Sequence, residues 1–282
     1  MTKSPDDLPS FSRPPLNEVV LSIQFASLTE LKGIDLGLFW QKVKKRYPDV
    51  SEQPVIQAAF ETFGTPQLAK PAFRLESIMT PPMPRYWFEK AGSPDLLQIQ
   101  HDRIIHNWRG GDDVSTYPRY PAVKAKLSRE IEEFEKWLDA SRLGRLLPNQ
   151  CEVTYTNLID FDDSDQVHSD LRRLTPLWSG IDSTDEAVDF EDVAINTRRV
   201  FTHNGRSAGR VYAQFLPVFR QSDLRPMIKL EITARGRPDS ETVDEALSFL
   251  DVEHEEVVRT FADLTSPEMH KMWGRKDGKR TK

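Results

Sequence analysis

The chain is almost without cysteine: Cys151 is the single thiol in 282 residues. One thiol cannot close an internal disulfide, and it cannot build a cysteine-rich zinc site. A chain without a disulfide framework is typical of a reducing compartment, so the sequence predicts a cytoplasmic protein.

Long apolar runs are also missing. No stretch approaches the roughly 18 consecutive apolar residues of a membrane helix, and residues 1–15 lack the apolar core of a signal peptide. Hydrophobic residues make up 38% of the chain, aromatic residues 10% and charged residues 29%. This balance indicates a protein with a real core and a well-solvated surface, and we expect no membrane segment.

The familiar catalytic and cofactor motifs are absent. The chain has no G-x-S-x-G, G-x-G-x-x-G or H-E-x-x-H, and Cys151 has no evident histidine partner. Gly274 and the pair Gly278-Lys279 imitate a phosphate loop but have three residues between the glycines where that loop has four. We therefore expect no cofactor and favour a binding protein over an enzyme, with catalysis by an unfamiliar constellation left open.

The net charge is −6, but it is unevenly distributed. The last twelve residues are strongly basic, so the rest of the chain is more acidic than the total implies. An acidic body repels nucleic-acid phosphates, and binding to them would need a locally basic face. The basic side chains of this C-terminal stretch, against Asp277, are Lys271, Arg275, Lys276, Lys279, Arg280 and Lys282.

The first half of the chain shows strand and helix patterns in turn. Apolar residues alternate over 19–25, as in a half-buried strand, and Asp35 is placed to cap a helix that Pro48 ends. Five apolar runs then predict an antiparallel meander, at 55–63, 72–79, 85–90, 96–100 and 104–109. A long helix follows with an apolar stripe of Val123, Leu127, Ile131, Phe134 and Leu138.

The second half repeats this order. A strand over 151–159 precedes a short helix with Val167, Leu171 and Leu174, which Asp165 can cap. Strands are predicted at 188–195, 198–204, 209–219 and 227–235, and Asn204-Gly205 suits a type I′ turn because both positions need positive φ. The closing long helix has a stripe of Val243, Leu247, Leu250, His254, Val257, Phe261 and Leu264.

We therefore predict an α+β protein of two similar halves, each built as strand, helix, antiparallel meander and long helix, with the helices packed on one face of curved antiparallel sheets. The uncovered sheet face is where we expect function. The predicted divisions are a disordered segment 1–13, a first half 14–140, a junction 141–149, a second half 150–264, a short helix 265–273 and a basic disordered tail 274–282.

Four segments carry a family resemblance. They are Pro14–Val20 (PPLNEVV), Leu97–Arg109 (LQIQHDRIIHNWR), Tyr117–Tyr120 (YPRY) and Phe261–Trp273 (FADLTSPEMHKMW). Together they resemble a sporadically distributed family of uncharacterised bacterial proteins of similar length. The resemblance implies no particular reaction, and such a distribution favours a defence-associated or toxin-antitoxin setting. The topology is similar to the duplicated fold of the TATA-box-binding protein, an analogy of fold that implies no DNA binding.

The richest polar chemistry lies in residues 98–109. If Asp102-Arg103 forms a turn, His101 and His106 share one sheet face with Trp108, and they are weak candidates for metal ligands. Packing is the favoured role, because a zinc site needs three or four ligands. The other face would then present ligand-binding candidates, which are Gln98, Gln100, Asn107 and Arg109.

An aromatic and cationic patch is predicted around Arg119, which stands between Tyr117 and Tyr120 and follows Trp108-Arg109 in the sequence. Such a patch suits an anion, a nucleotide or a peptide. The alternative is a loop that packs its aromatic rings onto the long helix. Pro118 and Pro121 restrict the backbone for either role.

Three further groups of residues carry weaker signals. His254 and His270 form a pair only if the last short helix folds back. The spacing of Asp160, Asp162, Asp163 and Asp165 does not match an EF-hand calcium-binding loop. These residues more simply cap the following helix and solvate a loop. Seven arginines of the second half can form an anion-binding face if they share one side of the sheet: Arg198, Arg199, Arg206, Arg210, Arg225, Arg235 and Arg237.

The favoured function is a non-enzymatic binding or regulatory protein of a bacterial accessory system that contacts a protein partner through a sheet face or the loops between halves. A nucleic-acid or nucleotide binder that uses the second-half arginines is one alternative, and an unrecognised metal-dependent or hydrolytic enzyme is another. A dimer is compatible with this sequence.

Overall fold

A computed structural model describes residues 8–64, 83–111, 117–161, 167–180 and 190–277 of the chain. Its elements, in chain order, are β1 (Ser10–Phe11), β2 (Leu16–Phe25), α1 (Gly33–Val43), β3 (Asp49–Gln53), β4 (Arg85–Glu89), β5 (Asp95–Gln100), β6 (Arg103–Arg109), α2 (Tyr120–Ser141), β7 (Pro148–Ile159), β8 (Ile195–His203), β9 (Arg206–Phe219), β10 (Pro226–Gly236), α3 (Val243–Leu264), α4 (Pro267–Met272) and β11 (Arg275–Lys276).

One large antiparallel sheet dominates the described residues. Its nine strands follow the order β3-β4-β5-β6-β2-β7-β10-β9-β8, so that β2 and β7 are neighbours in the middle. Across this central pair, which we call the seam, Val19 faces Tyr155, Leu21 faces Val153 and Ile23 faces Cys151. The α+β class and the large antiparallel sheet agree with the sequence prediction.

Strand alternation gives the sheet two different faces. Val19, Leu21 and Ile23 of β2 point to the helix-covered face and are fully buried, because α2 packs over β6 and β2 while α3 packs over β7 and β10. The intervening side chains, such as Ser22 and Gln24, point to the other face. We call this other side the helix-free face.

The apolar stripe predicted for α2 is buried at every position. The buried face of α3 is rotated relative to its predicted stripe. Phe249 and Glu253 of α3 are completely buried, whereas Leu247 is only half-buried. Glu253 has no hydrogen-bond partner for either oxygen among the described residues, and burial raises its pKa well above the usual range. Burial therefore favours the neutral form of this carboxyl group.

The meander differs from the prediction at its start. Residues 54–63 have no regular structure, and the strand in this region is β3 at Asp49–Gln53. The predicted strand 55–63 is wrong because the backbone groups of Ile56 and Ala59 bond to side chains of the sheet instead of to a neighbouring strand. The predicted strand 72–79 lies outside the described residues. In the second half, β8 begins at Ile195, and described residues 190–194 are not a strand.

The short helix predicted around Val167, Leu171 and Leu174 is also wrong. Residues 167–180 form turns and bends, in which these three side chains are buried from separate turns instead of from one helical face. Their predicted cap, Asp165, is outside the described residues. In the first half, Asp35 lies inside α1, and its carboxylate accepts a hydrogen bond of 2.9 Å from the backbone N–H of Lys32.

The described chain ends are ordered where the sequence predicted disorder. Ser10 and Phe11 pair with Lys276 and Arg275 in a two-stranded sheet. The prediction missed the anchor, which is Phe11: its ring contacts Phe261 with 5.1 Å between centroids. Ser266 caps α4, the short helix predicted at 265–273, since its hydroxyl accepts a hydrogen bond from the Met269 N–H. Asn204 and Gly205 both have positive φ in the β8–β9 turn, also as predicted.

A buried polar cluster holds α2 against the sheet. His106 of β6 bonds through Nδ1 to Glu130 at 2.8 Å, and its Nε2 lies 3.4 Å from Asp95. Tyr47 donates its hydroxyl proton to the other oxygen of Glu130. Burial disfavours the charged imidazole, but Glu130 and Asp95 outweigh burial and raise the pKa of His106 to about 9. His106 is therefore a charged structural residue.

This cluster predicts a loss of stability in mildly alkaline solution. The pKa of His106 is raised in the folded state from 6.5 to about 9, so its stabilisation is complete below pH 6.5 and disappears as pH rises through 9. We expect the free energy of unfolding, from urea titration, to fall by on the order of 3 kcal/mol over this range.

The variant Glu130→Gln should lose most of that pH dependence, because it removes the negative partner of the imidazole. Glu133→Gln is the matched control: Glu133 lies on the same helix but pairs with Arg46 near the surface. Equal pH dependence in the wild type and Glu130→Gln would contradict the assignment.

Candidate functional site

A pocket of about 210 Å³ opens above the seam on the helix side. We call it the aromatic cavity. Its wall is mainly apolar and comes from five parts of the chain: the segment 8–14, the start of β2 at Leu16, the start of α2, strand β7 and helix α3. The residues that matter below are Phe11, Tyr117, Arg119, Tyr120, Tyr155, His254, Val258 and Phe261.

The start of α2 brings three of the predicted patch residues to this cavity. Arg119 precedes the helix with φ 75°, a left-handed backbone value that turns the chain sharply between Tyr117 and Tyr120. One guanidinium nitrogen of Arg119 donates a hydrogen bond of 3.0 Å to the carbonyl oxygen of Phe11. Pro121 then supplies an early-turn residue that needs no N–H partner.

A chain of hydrogen bonds crosses the cavity. The hydroxyls of Tyr117 and Tyr155 are 3.1 Å apart, and the Tyr155 hydroxyl lies 2.9 Å from Nδ1 of His254. The imidazole of His254 stacks on the ring of Tyr120 with 3.8 Å between centroids and 3° between planes. These contacts fix four rings relative to one another.

The polar groups of the cavity are neutral except for Arg119. Burial lowers the pKa of His254 to about 4 and raises that of Tyr117 to about 12. Burial likewise raises the pKa of Tyr155. A neutral imidazole and neutral phenols can donate or accept hydrogen bonds without a charged partner.

Not all of the predicted patch reaches the cavity. Trp108 is buried behind it, with its ring 5.0 Å from that of Tyr117. Arg109 is on the helix-free face, where it pairs with Glu89 at 3.1 Å. Tyr155 and Phe11 were not predicted at this site, and His254 was predicted only in the apolar stripe of the last long helix and as a partner for His270. Strand alternation does not show which distant helix covers a residue.

The helix-free face carries a second arrangement. Residues 54–64, which we call the strap, cross this face without forming a strand. Gln100 of β5 bonds the strap backbone twice: its carbonyl oxygen accepts from the Ile56 N–H at 2.9 Å, and its amide donates to the Ile56 carbonyl at 2.9 Å. Gln24 of β2 accepts from the Ala59 N–H at 3.1 Å.

Beyond the seam, the strap is anchored by an acidic side chain. Glu61 forms an ion pair with Arg210 of β9 and accepts a hydrogen bond of 2.8 Å from the Tyr212 hydroxyl. Arg235 of β10 lies 3.8 Å from the same carboxylate, and the side chain of Glu61 is only 3% exposed. Arg210 also donates to the carbonyl of Thr62 at 2.6 Å. The strap therefore joins both sides of the seam.

Gln98 and Asn107, two predicted ligand-binding residues of this face, bond to each other at 2.6 Å. Trp87 also donates to Gln98 at 2.9 Å, and Asn107 donates to Glu18 at 2.8 Å. Both amides are buried and lie beside the strap contacts of Gln100. Of the four predicted residues, Gln100 is thus the one that contacts the strap.

The structure separates the histidines. The turn before β6 is at His101-Asp102, one residue earlier than predicted, so His101 leaves the face of His106. His254 lies in the aromatic cavity, whereas His270 bonds to Thr265 at 2.9 Å. Within the described ranges, no three His, Cys, Asp or Glu side chains gather into a metal-binding group.

The second-half arginines do not form one common surface. Arg199 points to the helix side and bonds Asp263, while Arg210 and Arg235 point to the helix-free face. Arg206, Arg225 and Arg237 pair with Asp239, Asp160 and Glu241. Because carboxylates already partner these cations, the geometry disfavours a broad phosphate-binding face.

Comparison with protein-family models, with curated proteins and with solved structures finds no match. Among the described residues, none of the helices is long and apolar enough to span a membrane. The aromatic cavity and the strap are therefore the structural basis for a functional proposal.

The neutral state of His254 predicts acid sensitivity. Its pKa is lowered in the folded state from 6.5 to about 4, so the stability present above pH 6.5 is lost as pH falls towards 4. We expect the variant His254→Gln to remove on the order of 3 kcal/mol from the pH dependence of unfolding over this range.

The measurement is urea unfolding at pH 7.0 and 4.5. His203→Gln is the control, because His203 lies in the β8–β9 hairpin outside the cavity. An unchanged acid slope in His254→Gln would show that His254 is not the residue responsible.

Proposed function

We propose that this protein is a non-enzymatic binding or regulatory protein that receives an extended polypeptide segment of a protein partner on its helix-free face. The observation that carries the proposal is the way Gln100 holds both the N–H and the C=O of Ile56. A side-chain amide that bonds to both backbone groups of one residue recognises an extended main chain independently of its side chain.

Peptide recognition usually combines main-chain hydrogen bonds, which give affinity, with side-chain pockets, which give specificity. The helix-free face has both parts. Gln24 and Gln100 bond the backbone, and the group of Arg210, Tyr212 and Arg235 receives one carboxylate. The carboxylate of Glu61 is buried against Arg210. At this position of a bound segment, an acidic residue is therefore strongly preferred over a neutral one.

The strap indicates what a partner segment would contain. Glu61 follows Ile56 by five positions, and the ring of Phe63 lies 4.6 Å from the guanidinium of Arg210. We therefore expect a partner segment in extended conformation with an acidic residue five positions after the residue held by Gln100. An aromatic residue two positions further on would add a cation–π contact.

The strap itself occupies the face in the described structure, so partner binding requires that residues 54–64 are displaced. The wider setting belongs to the same proposal: two structurally repeated halves, a cytoplasmic protein of a bacterial accessory system, and a dimer as a compatible assembly. The alternatives are a nucleic-acid or nucleotide binder and a metal-dependent or hydrolytic enzyme. The first gains less support, since the second-half arginines have carboxylate partners.

The proposal can be tested with the strap sequence as a separate peptide. A labelled peptide PVIQAAFETFG, identical to residues 54–64, is titrated in fluorescence anisotropy with the full-length variant Ile56→Pro/Glu61→Ala. This variant loosens the strap, because proline has no N–H for Gln100 and alanine has no carboxylate for Arg210. We expect the peptide to bind the variant at least tenfold more tightly than the wild type, in which the strap occupies the face.

Two controls make the result specific. A peptide with glutamine in place of glutamate should bind the loosened variant about tenfold more weakly, which corresponds to the loss of one charged hydrogen bond. Adding Arg210→Gln should abolish binding, whereas adding Arg237→Gln should not, because Arg237 pairs with Glu241 away from the strap. Failure of a folded loosened variant to bind the peptide would contradict the proposal.

A further inference from the structure

We propose that the aromatic cavity binds a small aromatic carboxylic acid with a single ring, on the side of the sheet opposite the strap. This site is independent of the polypeptide site, because its wall comes from segment 8–14, Leu16 of β2, the start of α2, β7 and α3. No residue of the strap or of its anchoring group lines the cavity.

The size of the cavity sets the size of the ligand. Voids larger than a water molecule are few in protein interiors, and an apolar cavity of about 150 Å³ is known to hold benzene. At about 210 Å³, the aromatic cavity has room for one ring and a short substituent. It is smaller than the pockets of several hundred Å³ that receive large cofactors.

The shape of the wall favours a planar ring. The parallel stack of Tyr120 and His254 fixes these two rings in one orientation at the cavity. On another side, Phe261 contacts Phe11, with the two rings nearly perpendicular at 86°. A planar aromatic ligand can pack by stacking or edge-to-face contacts on such a wall, which contribute beyond simple burial of apolar area.

Charge complementarity is the reason to expect a carboxylate on the ligand. Arg119 is the cationic side chain of the lining, and it makes no ion pair with any described residue. Its contacts are the Phe11 carbonyl and, at 5.7 Å, the ring of Tyr117. A guanidinium with these contacts retains N–H donors for an anion. Inside the cavity, the hydroxyls of Tyr117 and Tyr155 offer neutral hydrogen bonds to a polar substituent on the ring.

The test uses the full-length protein and three small probes in saturation-transfer NMR and calorimetry. Benzoate should bind saturably, benzyl alcohol should bind at least fivefold more weakly, and acetate should show no saturation. The comparison of benzoate with benzyl alcohol measures the contribution of the negative charge. The comparison with acetate measures the contribution of the ring.

Substitutions of Arg119 and Val258 locate the site, and a substitution of Arg109 is the control. Arg119→Gln should weaken benzoate binding about tenfold and leave benzyl alcohol unchanged. Arg109→Gln, which removes an arginine on the helix-free face, should change neither. Val258→Trp places an indole in the cavity and should abolish binding of both aromatic probes. Val258→Phe is the smaller substitution if the tryptophan variant fails to fold.

Absence of saturable benzoate binding to the wild type would overturn the inference. The same holds if Arg119→Gln binds benzoate as tightly as the wild type does. The strap variant Ile56→Pro/Glu61→Ala should bind benzoate like the wild type, so a failure at one site is distinguishable from a failure at the other.

Discussion

The pairing of β2 with β7 is the constraint on which the rest of the molecule depends. These two strands are far apart in the sequence, yet they lie side by side at the middle of the nine-stranded sheet. Every other strand of that sheet adds outward from this pair, and α2 and α3 each cover one side of it. Loss of this ladder would leave a five-stranded and a four-stranded sheet, each with a newly unpaired edge strand that could pair with another chain.

Both proposed sites lie on the seam, one on each face. The aromatic cavity lies above it, where Leu16 of β2 and Tyr155 of β7 line the space between the start of α2 and α3. The strap crosses below it because Gln24 stands on one side and Arg210 on the other.

The sequence predicted the regular elements best where periodicity was strong. Alternation identified β2 and β7, apolar runs identified β4, β5 and β6, and the helical stripe identified α2. The strand prediction failed for residues 55–63, because a segment whose backbone is bonded by side chains has the same apolar composition as a strand. The helix prediction failed for 167–174, where buried leucines come from separate turns. Local patterns do not encode which partner satisfies a backbone group.

The same limit applies to the sites. The sequence singled out Tyr117, Arg119 and Tyr120 by their spacing, and they do meet at one cavity. It could not place Tyr155 or Phe11 there, since these residues are 38 and 108 positions from their partners Tyr117 and Arg119. Glu61 had no local signal at all. Its significance comes only from Arg210, a residue of the other half.

The strap also has a consequence for the rate at which a partner could bind. A face already occupied by its own chain is open only during the fraction of time in which the strap is lifted, and a partner's apparent affinity is reduced by that fraction. At high partner concentration, the association rate would stop rising and level off at the rate of strap opening. Breaking the buried ion pair of Glu61 with Arg210 would then be the rate-limiting step of complex formation. That rate would be a property of this chain and independent of the partner.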